Sequence, residues 1–371
     1  MWELVPISVA GVVLAFLSHA FSEYDPLHCR YRRKDSFFYA ILVVVMVLFV
    51  GLRTQYNDTD NYESIYNAMD PTVELFDQLD WEIGDNPLFT ITNRILLKLG
   101  FSAQSFLMFY AVLTIGLNLW FIRKYSCDVP FSVFLFLATG MFTFTMAAIK
   151  QCVAMAICLV AIDRAVQKKY ISFVLWVFLA ALYHPYALMY LIVPFLMFRP
   201  WSGWTVIMLA VFAVAGAVLD QLIGTIVDVT DLLGENFDAA SFTGEGVNPF
   251  RVAVVAVPVL LALVTRKVIT QTPDRVQYLM VNLATLNAEI MFVGLFGTAN
   301  YFARLANYFL LFQAMSMPWL LTHFEPRSRR TMTWGALAGY GAYYVFSNAI
   351  YESFDYHYAS VSIWDYFRSL L

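Results

Sequence analysis

Phe37-Phe38-Tyr39-Ala40-Ile41-Leu42-Val43-Val44-Val45-Met46-Val47-Leu48-Phe49-Val50-Gly51-Leu52-Arg53 carries no charge until its last residue. A helix needs about 20 mostly apolar residues to cross the hydrocarbon core of a bilayer. The run 36–53 therefore reads as a membrane crossing, with Arg53 at its polar end. The same pattern recurs at 4–22, 103–122, 130–146, 147–164, 204–223, 250–265, 276–297, 303–323 and 331–350. The run from Tyr170 to Phe198 is interrupted at Tyr183-His184-Pro185. Proline disfavours helix in the residue before it, so this run reads as two short helices meeting at a polar turn. The sum is about 12 crossings in an all-α polytopic membrane protein, a single integral domain over 1–371. Segment 86–99 mixes Asn93, Arg94 and Lys98 with leucine, isoleucine and phenylalanine, and reads as an amphipathic helix lying at the interface.

Composition agrees. Of the 371 residues 60% are hydrophobic and 13% charged, where a soluble domain carries roughly 25% charged. That excludes a cytosolic enzyme, a disordered chain and a disulfide scaffold. No basic region precedes the first apolar stretch, so 4–22 reads as a retained helix and not a cleaved signal. The four cysteines show no metal-ligand spacing and read as free thiols or small hydrophobes.

Sidedness follows from lysine and arginine, which favour the cytoplasmic side. With both termini outside, the short inner connections hold Arg30, Arg32, Arg33, Lys34, Arg123, Lys124, Arg164, Lys168, Lys169, Arg199, Arg266, Lys267, Arg275, Arg327, Arg329 and Arg330, most of the chain's 23 basic residues. Two long outer loops are acidic and hold no Lys or Arg. Residues 54–87 contain Asp58, Asp60, Glu63, Asp70, Glu74, Asp77, Asp80, Glu82 and Asp85; residues 224–249 contain Asp228, Asp231, Glu235, Asp238 and Glu245. Loops of such length usually carry function. A nucleotide-binding loop and a soluble domain are both missing from the sequence, which argues against an ATP-driven pump.

The informative cations are those on the wrong side. Arg53, Lys150, Arg251 and Arg304 each stand at an outer helix end, where an unpaired cation is costly and needs an anion. One reading is snorkelling to lipid phosphate or pairing with a loop carboxylate; the other is a site for an anionic substrate. Arginine suits phosphate because its planar fork binds two oxygens together. His184, at the turn between two short helices, is either a proton acceptor for a hydroxyl nucleophile or a ring satisfied by neighbouring tyrosines. Glu289 lies inside a crossing, as a functional carboxylate or as the counter-ion of Arg304 or Lys150. Tyr56, Tyr62 and Tyr66 are candidates to stack on sugar rings.

Gly51-Leu52-Arg53, followed by Asn57-Asp58-Thr59-Asp60-Asn61-Tyr62, resembles the start of the EpsG family, multi-spanning proteins of bacterial exopolysaccharide and capsule loci similar to Wzy-type polymerases. Tyr56 stands where the family usually has glycine, and the gap from Arg53 is about one residue short. Asn86-Pro87-Leu88-Phe89, Lys150-Gln151, Tyr183-His184, Arg304 with Tyr308-Phe309, and Met317-Pro318 are similar to later family motifs, in the expected order. Lysine replaces the usual arginine at 150, keeping the charge and losing the fork.

The resemblance implies a GT-C-like architecture and an inverting glycosyltransferase at the outer face of the bacterial cytoplasmic membrane. A glycan on undecaprenyl pyrophosphate would pass to the sugar hydroxyl of an incoming lipid-linked unit. Arg53, Lys150 and Arg304 would hold the pyrophosphate; His184 or Asp58 would be the base, with Asp60 beside it. Tyr62, Gln151, Glu289 and Tyr308 would position substrates. No cofactor or metal is demanded, although Asp58 and Asp60 suit a divalent ion. The partners implied are the lipid-linked oligosaccharide, the bilayer and a chain-length regulator, with no nucleic acid. The competing readings are a flippase for lipid-linked oligosaccharide and a membrane acyltransferase acting on sugars.

Overall fold

The uncharged run that follows Ser36 forms a single helix, α2 (Phe37–Gly51). It packs between α1 (Leu4–Ala20) and α5 (Ala103–Tyr125) in a computed structural model of the chain. The structure describes residues 3–25, 30–77, 79, 81, 83–232, 246–271, 273–351 and 357–369. α1 and α2 are linked through the antiparallel strands β1 (Glu23–Asp25) and β2 (Arg30–Arg33). Ser102 caps α5 by accepting from the Ser105 N–H, and Arg123 and Lys124 close its last turn, where positive charge favours the helix dipole.

α5, α12 (Pro249–Ile269) and α13 (Arg275–Val293) are long and apolar enough to cross a membrane. α6 (Val129–Ala138) and α7 (Met141–Ala147) pass the same test together across a bend of 52°. Among the described residues that makes three or four such helices, where the sequence reads as about 12 crossings. The other apolar helices are shorter: α1, α2, α9 (Tyr170–Ala181), the 3₁₀ helix Pro185–Leu196 and α10 (Gly203–Ala217).

The shortfall comes from breaks that hydropathy does not register. The run 130–146 turns at Gly140, whose φ of 82° lies where glycine is favoured, and Ala148 separates α7 from α8 (Ile149–Val166). The run 204–223 divides into α10 and α11 (Leu219–Leu232). The run 303–323 divides into α14 (Ala299–Asn307) and α15 (Leu311–Thr322), and α16 (Pro326–Val345) passes into a π-helix, Phe346–Tyr351. The break at His184 is where the proline places it, between α9 and the 3₁₀ helix.

Neither acidic loop is bare coil. After β3 (Arg53–Gln55) the chain turns at Asn57 in the left-handed region, φ 46°, and enters α3 (Thr59–Asn67); asparagine tolerates that conformation. Asp228 and Asp231 belong to α11. Asp80, Glu82, Glu235, Asp238 and Glu245 lie outside the described residues. Segment 86–99 forms α4 (Pro87–Lys98), which pins other elements. Its Arg94 Nη1 donates to the carbonyls of Glu74, Leu75 and Asp77 at 3.1, 3.1 and 2.7 Å.

Polar contacts gather at two ends. At one, Lys34 donates to the Arg123 carbonyl, Arg123 to the Asp35 carbonyl, and Lys124 pairs with Asp163. Cys127, at that same end, is disulfide-bonded, which corrects the expectation of free thiols; Cys152 and Cys158 are free and buried. At the other end, β3 pairs antiparallel with β4 (Ala359–Ser360), and the Val361 N–H donates to the Leu52 carbonyl at 2.9 Å. Tyr358 stacks flat on Phe49 at 4.4 Å and donates to its carbonyl at 2.8 Å. Its hydroxyl lies within electrostatic reach of both Arg53 and Glu3. Between the two ends, Phe106, Phe121, Phe136, Phe142, Phe173, Phe309 and Phe312 fill a dry aromatic core.

Candidate functional site

Two broken helices and the turn after β3 line a polar cavity of about 460 Å³ at the end that carries the first acidic loop. The bend in α6–α7 supplies Thr139, Gly140 and Thr143; α14 supplies Ala303, Arg304 and Asn307; the turn after β3 supplies Tyr56, Asn57 and Asp58. Arg251 enters from the first turn of α12, and Tyr343 and Ser347 close the far wall. Arg251, Arg304 and Asp58 thus line one cavity, among hydroxyl and amide side chains and the apolar Phe144, Ala147, Ala148 and Leu310. Such a lining suits a hydroxyl-rich ligand, and the guanidiniums suit an anion.

Arg304 links this cavity to a second cluster. Its backbone carbonyl accepts from Gln151 Nε2 at 2.7 Å, and the neighbouring Ala306 carbonyl accepts from Asn287 Nδ2 at 2.6 Å. α14 is thereby bolted to α8 and α13. The positive charges of Arg304 and Lys150 both act on His184, and Arg304 acts on Tyr62 as well. Lys150 Nζ stands 5.3 Å from the centre of the Phe89 ring, and the Lys150 backbone bonds the Tyr62 phenol.

His184 is held from three sides. α4 ties down its turn: the Leu88 N–H donates to the Leu182 carbonyl at 3.0 Å, and the Thr92 and Tyr183 hydroxyls meet at 2.7 Å. Its Nδ1 bonds the Tyr308 hydroxyl at 2.8 Å, and its ring lies edge-on to Tyr186 at 5.0 Å. Burial first, then Lys150 and Arg304, push the imidazole down to about 3, so it is neutral at ordinary pH. It does not line the cavity.

The expected site residues therefore separate. Asp58 and Arg304 line the cavity. Gln151, Tyr308, His184, Lys150 and Tyr62 form the adjoining cluster just described. Asp60 is exposed on the first turn of α3, away from the cavity lining, and among the described residues no group of three or more His, Cys, Asp or Glu is placed to hold a metal. Arg53 takes a structural post: only 2% exposed, it donates from Nε to Thr59 Oγ1 at 3.1 Å and from Nη1 to the Val50 carbonyl at 2.6 Å. Its guanidinium fastens the end of α2 to the start of α3 and does not face the cavity. Glu289 is 4% exposed and neither of its oxygens meets a hydrogen-bond donor, so it is no counter-ion of Arg304 or Lys150.

Asn307, Thr143, Tyr343 and Ser347 were not foreseen, because nothing local distinguishes a hydroxyl facing a cavity from one satisfying a helix. Arg251 was legible as a cation at an outer helix end, and it earns a fuller place than Arg53.

Fold and site together define a helical membrane protein with a polar cavity between broken helices, two arginines at its wall. The EpsG family's sequence model matches residues 36–364, and the chain belongs to the EpsG family. No curated protein and no solved structure matches the chain.

Proposed function

We propose that this EpsG-family protein is a polysaccharide polymerase, an inverting glycosyltransferase acting on lipid-linked repeat units. It passes a growing glycan from undecaprenyl pyrophosphate to a sugar hydroxyl of the next lipid-linked unit, at the outer face of the bacterial cytoplasmic membrane. The observation that carries this reading is that Arg251, Arg304 and Asp58 line one cavity together with several hydroxyl side chains. The acceptor oxygen attacks the anomeric carbon, the bond from that carbon to the pyrophosphate breaks, and the pyrophosphate leaves with the electron pair. Arg304 and Arg251 stabilise the charge gathering on the leaving group. Asp58, the one carboxylate among the described lining residues, takes the acceptor's proton. His184, held neutral behind Arg304, fixes Tyr308 and the end of α14.

This reading places both termini and the cavity outside, in line with the sorting of lysines and arginines. It takes the shorter apolar helices as completing about 12 crossings in a GT-C-like arrangement. The purified protein in liposomes, given synthetic lipid-linked repeat units and no nucleotide, is expected to make a ladder of products, and Arg304→Ala is expected to make none. Movement of the lipid-linked sugar between leaflets without any ladder would replace the polymerase with a flippase.

A further inference from the structure

α14 has two unlike faces. Ala303, Arg304 and Asn307 look into the polar cavity, while Phe302 and Leu305, with Phe309 just beyond, look the opposite way. Residues 303 and 307 are one turn apart, and 302 and 305 fall on the other side of the helix, as a period of 3.6 requires. Behind α14, on its apolar face, lies a groove of about 540 Å³. Met189 and Ile192 of the 3₁₀ helix, Ala215 of α10, Ile226 of α11 and Ile290 of α13 line it, and among the described residues no charged side chain does. Its volume falls in the range of about 300–1,000 Å³ usual for small-molecule sites. Ile192 at its rim is exposed, and so are the neighbouring Phe195, Val214 and Val229.

We infer that this groove seats the isoprenoid tail of the lipid-linked donor, with α14 as the partition between tail and headgroup. The inference rests on the polymerase reading. A ligand that joins an anionic sugar-phosphate head to a long apolar chain is the one occupant that fills both chambers while straddling a single nine-residue helix. The polar chamber supplies the two arginines for the head, and the second chamber supplies only apolar wall for the chain. A phospholipid lacks the sugars that the hydroxyl-lined cavity is built to meet. The arrangement also explains why a span-length apolar run is broken after Asn307: a continuous helix has no short amphipathic segment to set between the two chambers.

The test is photolabelling of the full-length protein in nanodiscs with a polyprenyl pyrophosphate that carries a diazirine in its isoprenoid chain. Adducts are expected on peptides covering 188–192, 212–226 and 286–293, displaced by unlabelled polyprenyl pyrophosphate and not by excess phosphatidylglycerol. Ala215→Trp and Met189→Trp, each filling the groove from a different wall, are expected to reduce labelling by about tenfold, a loss that the burial of about two methylenes accounts for. Adducts elsewhere, or equal displacement by phosphatidylglycerol, would overturn the inference whatever the protein's activity. Labelling in the groove without any product ladder would retain the tail seat and remove the polymerase reading, so the two fail separately.

Discussion

The side-chain amide of Gln151 donates to the backbone carbonyl of Arg304 at 2.7 Å, across 153 residues of sequence. Gln151 is buried in the first turn of α8, so the bond fixes how α14 presents its guanidinium to the cavity. Gln151→Leu keeps the side chain's bulk and leaves the carbonyl without this donor, a loss of about 1–3 kcal/mol. The expected outcome is a polymerisation rate lowered by roughly tenfold in a protein that still purifies intact. A ladder of wild-type intensity from Gln151→Leu would show that Arg304 holds its place without the bond.

The two cavity arginines differ in what surrounds them. Arg304 also sets the field at His184 and Tyr62, whereas Arg251 stands in the cavity wall alone. A hydrogen bond to a charged group contributes about 1.5–3 kcal/mol, worth about 10–150-fold in rate. Arg251→Ala is expected to fall in that range and Arg304→Ala below detection. Arg304→Lys is expected to recover part of the activity, since it keeps the charge and loses the bidentate fork. Equal activity of the lysine and alanine variants in a rate assay would mean that charge at 304 does not act on the substrate.

The histidine gives a pH signature with a definite sign. Burial, with Lys150 and Arg304 alongside, holds His184 down to about 3, against about 6.5 in an unfolded chain. Between those values the unfolded chain binds a proton that the folded protein refuses. Stability is therefore lost as pH falls from about 6.5 toward about 3, and is unchanged by this group above that window. His184→Gln is expected to show a shallower fall of Tm between about pH 6.5 and 4 than the wild type. Identical slopes in a differential-scanning measurement would mean that His184 is protonated in the folded state.

Tyr358 fastens the strand pair over the first acidic loop by a flat stack on Phe49 and a 2.8 Å bond to its carbonyl. Stacked ring pairs contribute about 0.5–1.5 kcal/mol and a hydrogen bond about 1 kcal/mol. Tyr358→Ala is expected to destabilise the protein by about 2 kcal/mol and to speed proteolysis in the loop following β3. Tyr358→Phe, which keeps the stacked ring and loses the hydrogen bond, is expected to keep about half of that stability. A protease pattern unchanged by Tyr358→Ala would assign the strap's hold to β4 alone.

Orientation has a direct test. The proposed orientation puts the end with Lys34, Arg123 and Lys124 inside, while the Cys127 disulfide at that end favours an oxidising compartment. Tags at either terminus are expected to be accessible to protease in intact cells, and a protected C-terminus would overturn the even number of crossings. Thiol labelling of Cys127 in those cells reports the redox state of the opposite end.

The sequence exposed this architecture unevenly, for physical reasons. Helical membrane character was plain from charge scarcity, and the His184 turn was plain from Pro185. The bend at Gly140 and the gap after Asn307 were not, because hydropathy averages over a window and a single left-handed glycine leaves it unchanged. Arg304 was readable as a cation in an apolar setting, and the cavity uses it. Arg53 gave the same signal for another reason, since its guanidinium meets the Thr59 hydroxyl and the Val50 carbonyl. Charge at a helix end thus marks a polar partner, and only geometry tells a ligand from a neighbouring backbone.

Tyr358 reaches Phe49 across a sequence separation of 309. During synthesis the ribosome delivers Phe49 and the first acidic loop long before the segment that secures them. The helices between must be made and packed while that loop waits unfastened. Assembly of the cavity is thus a late event in biogenesis, and a chain stalled before β4 carries its arginines and its carboxylate without the clasp that holds their loop in register.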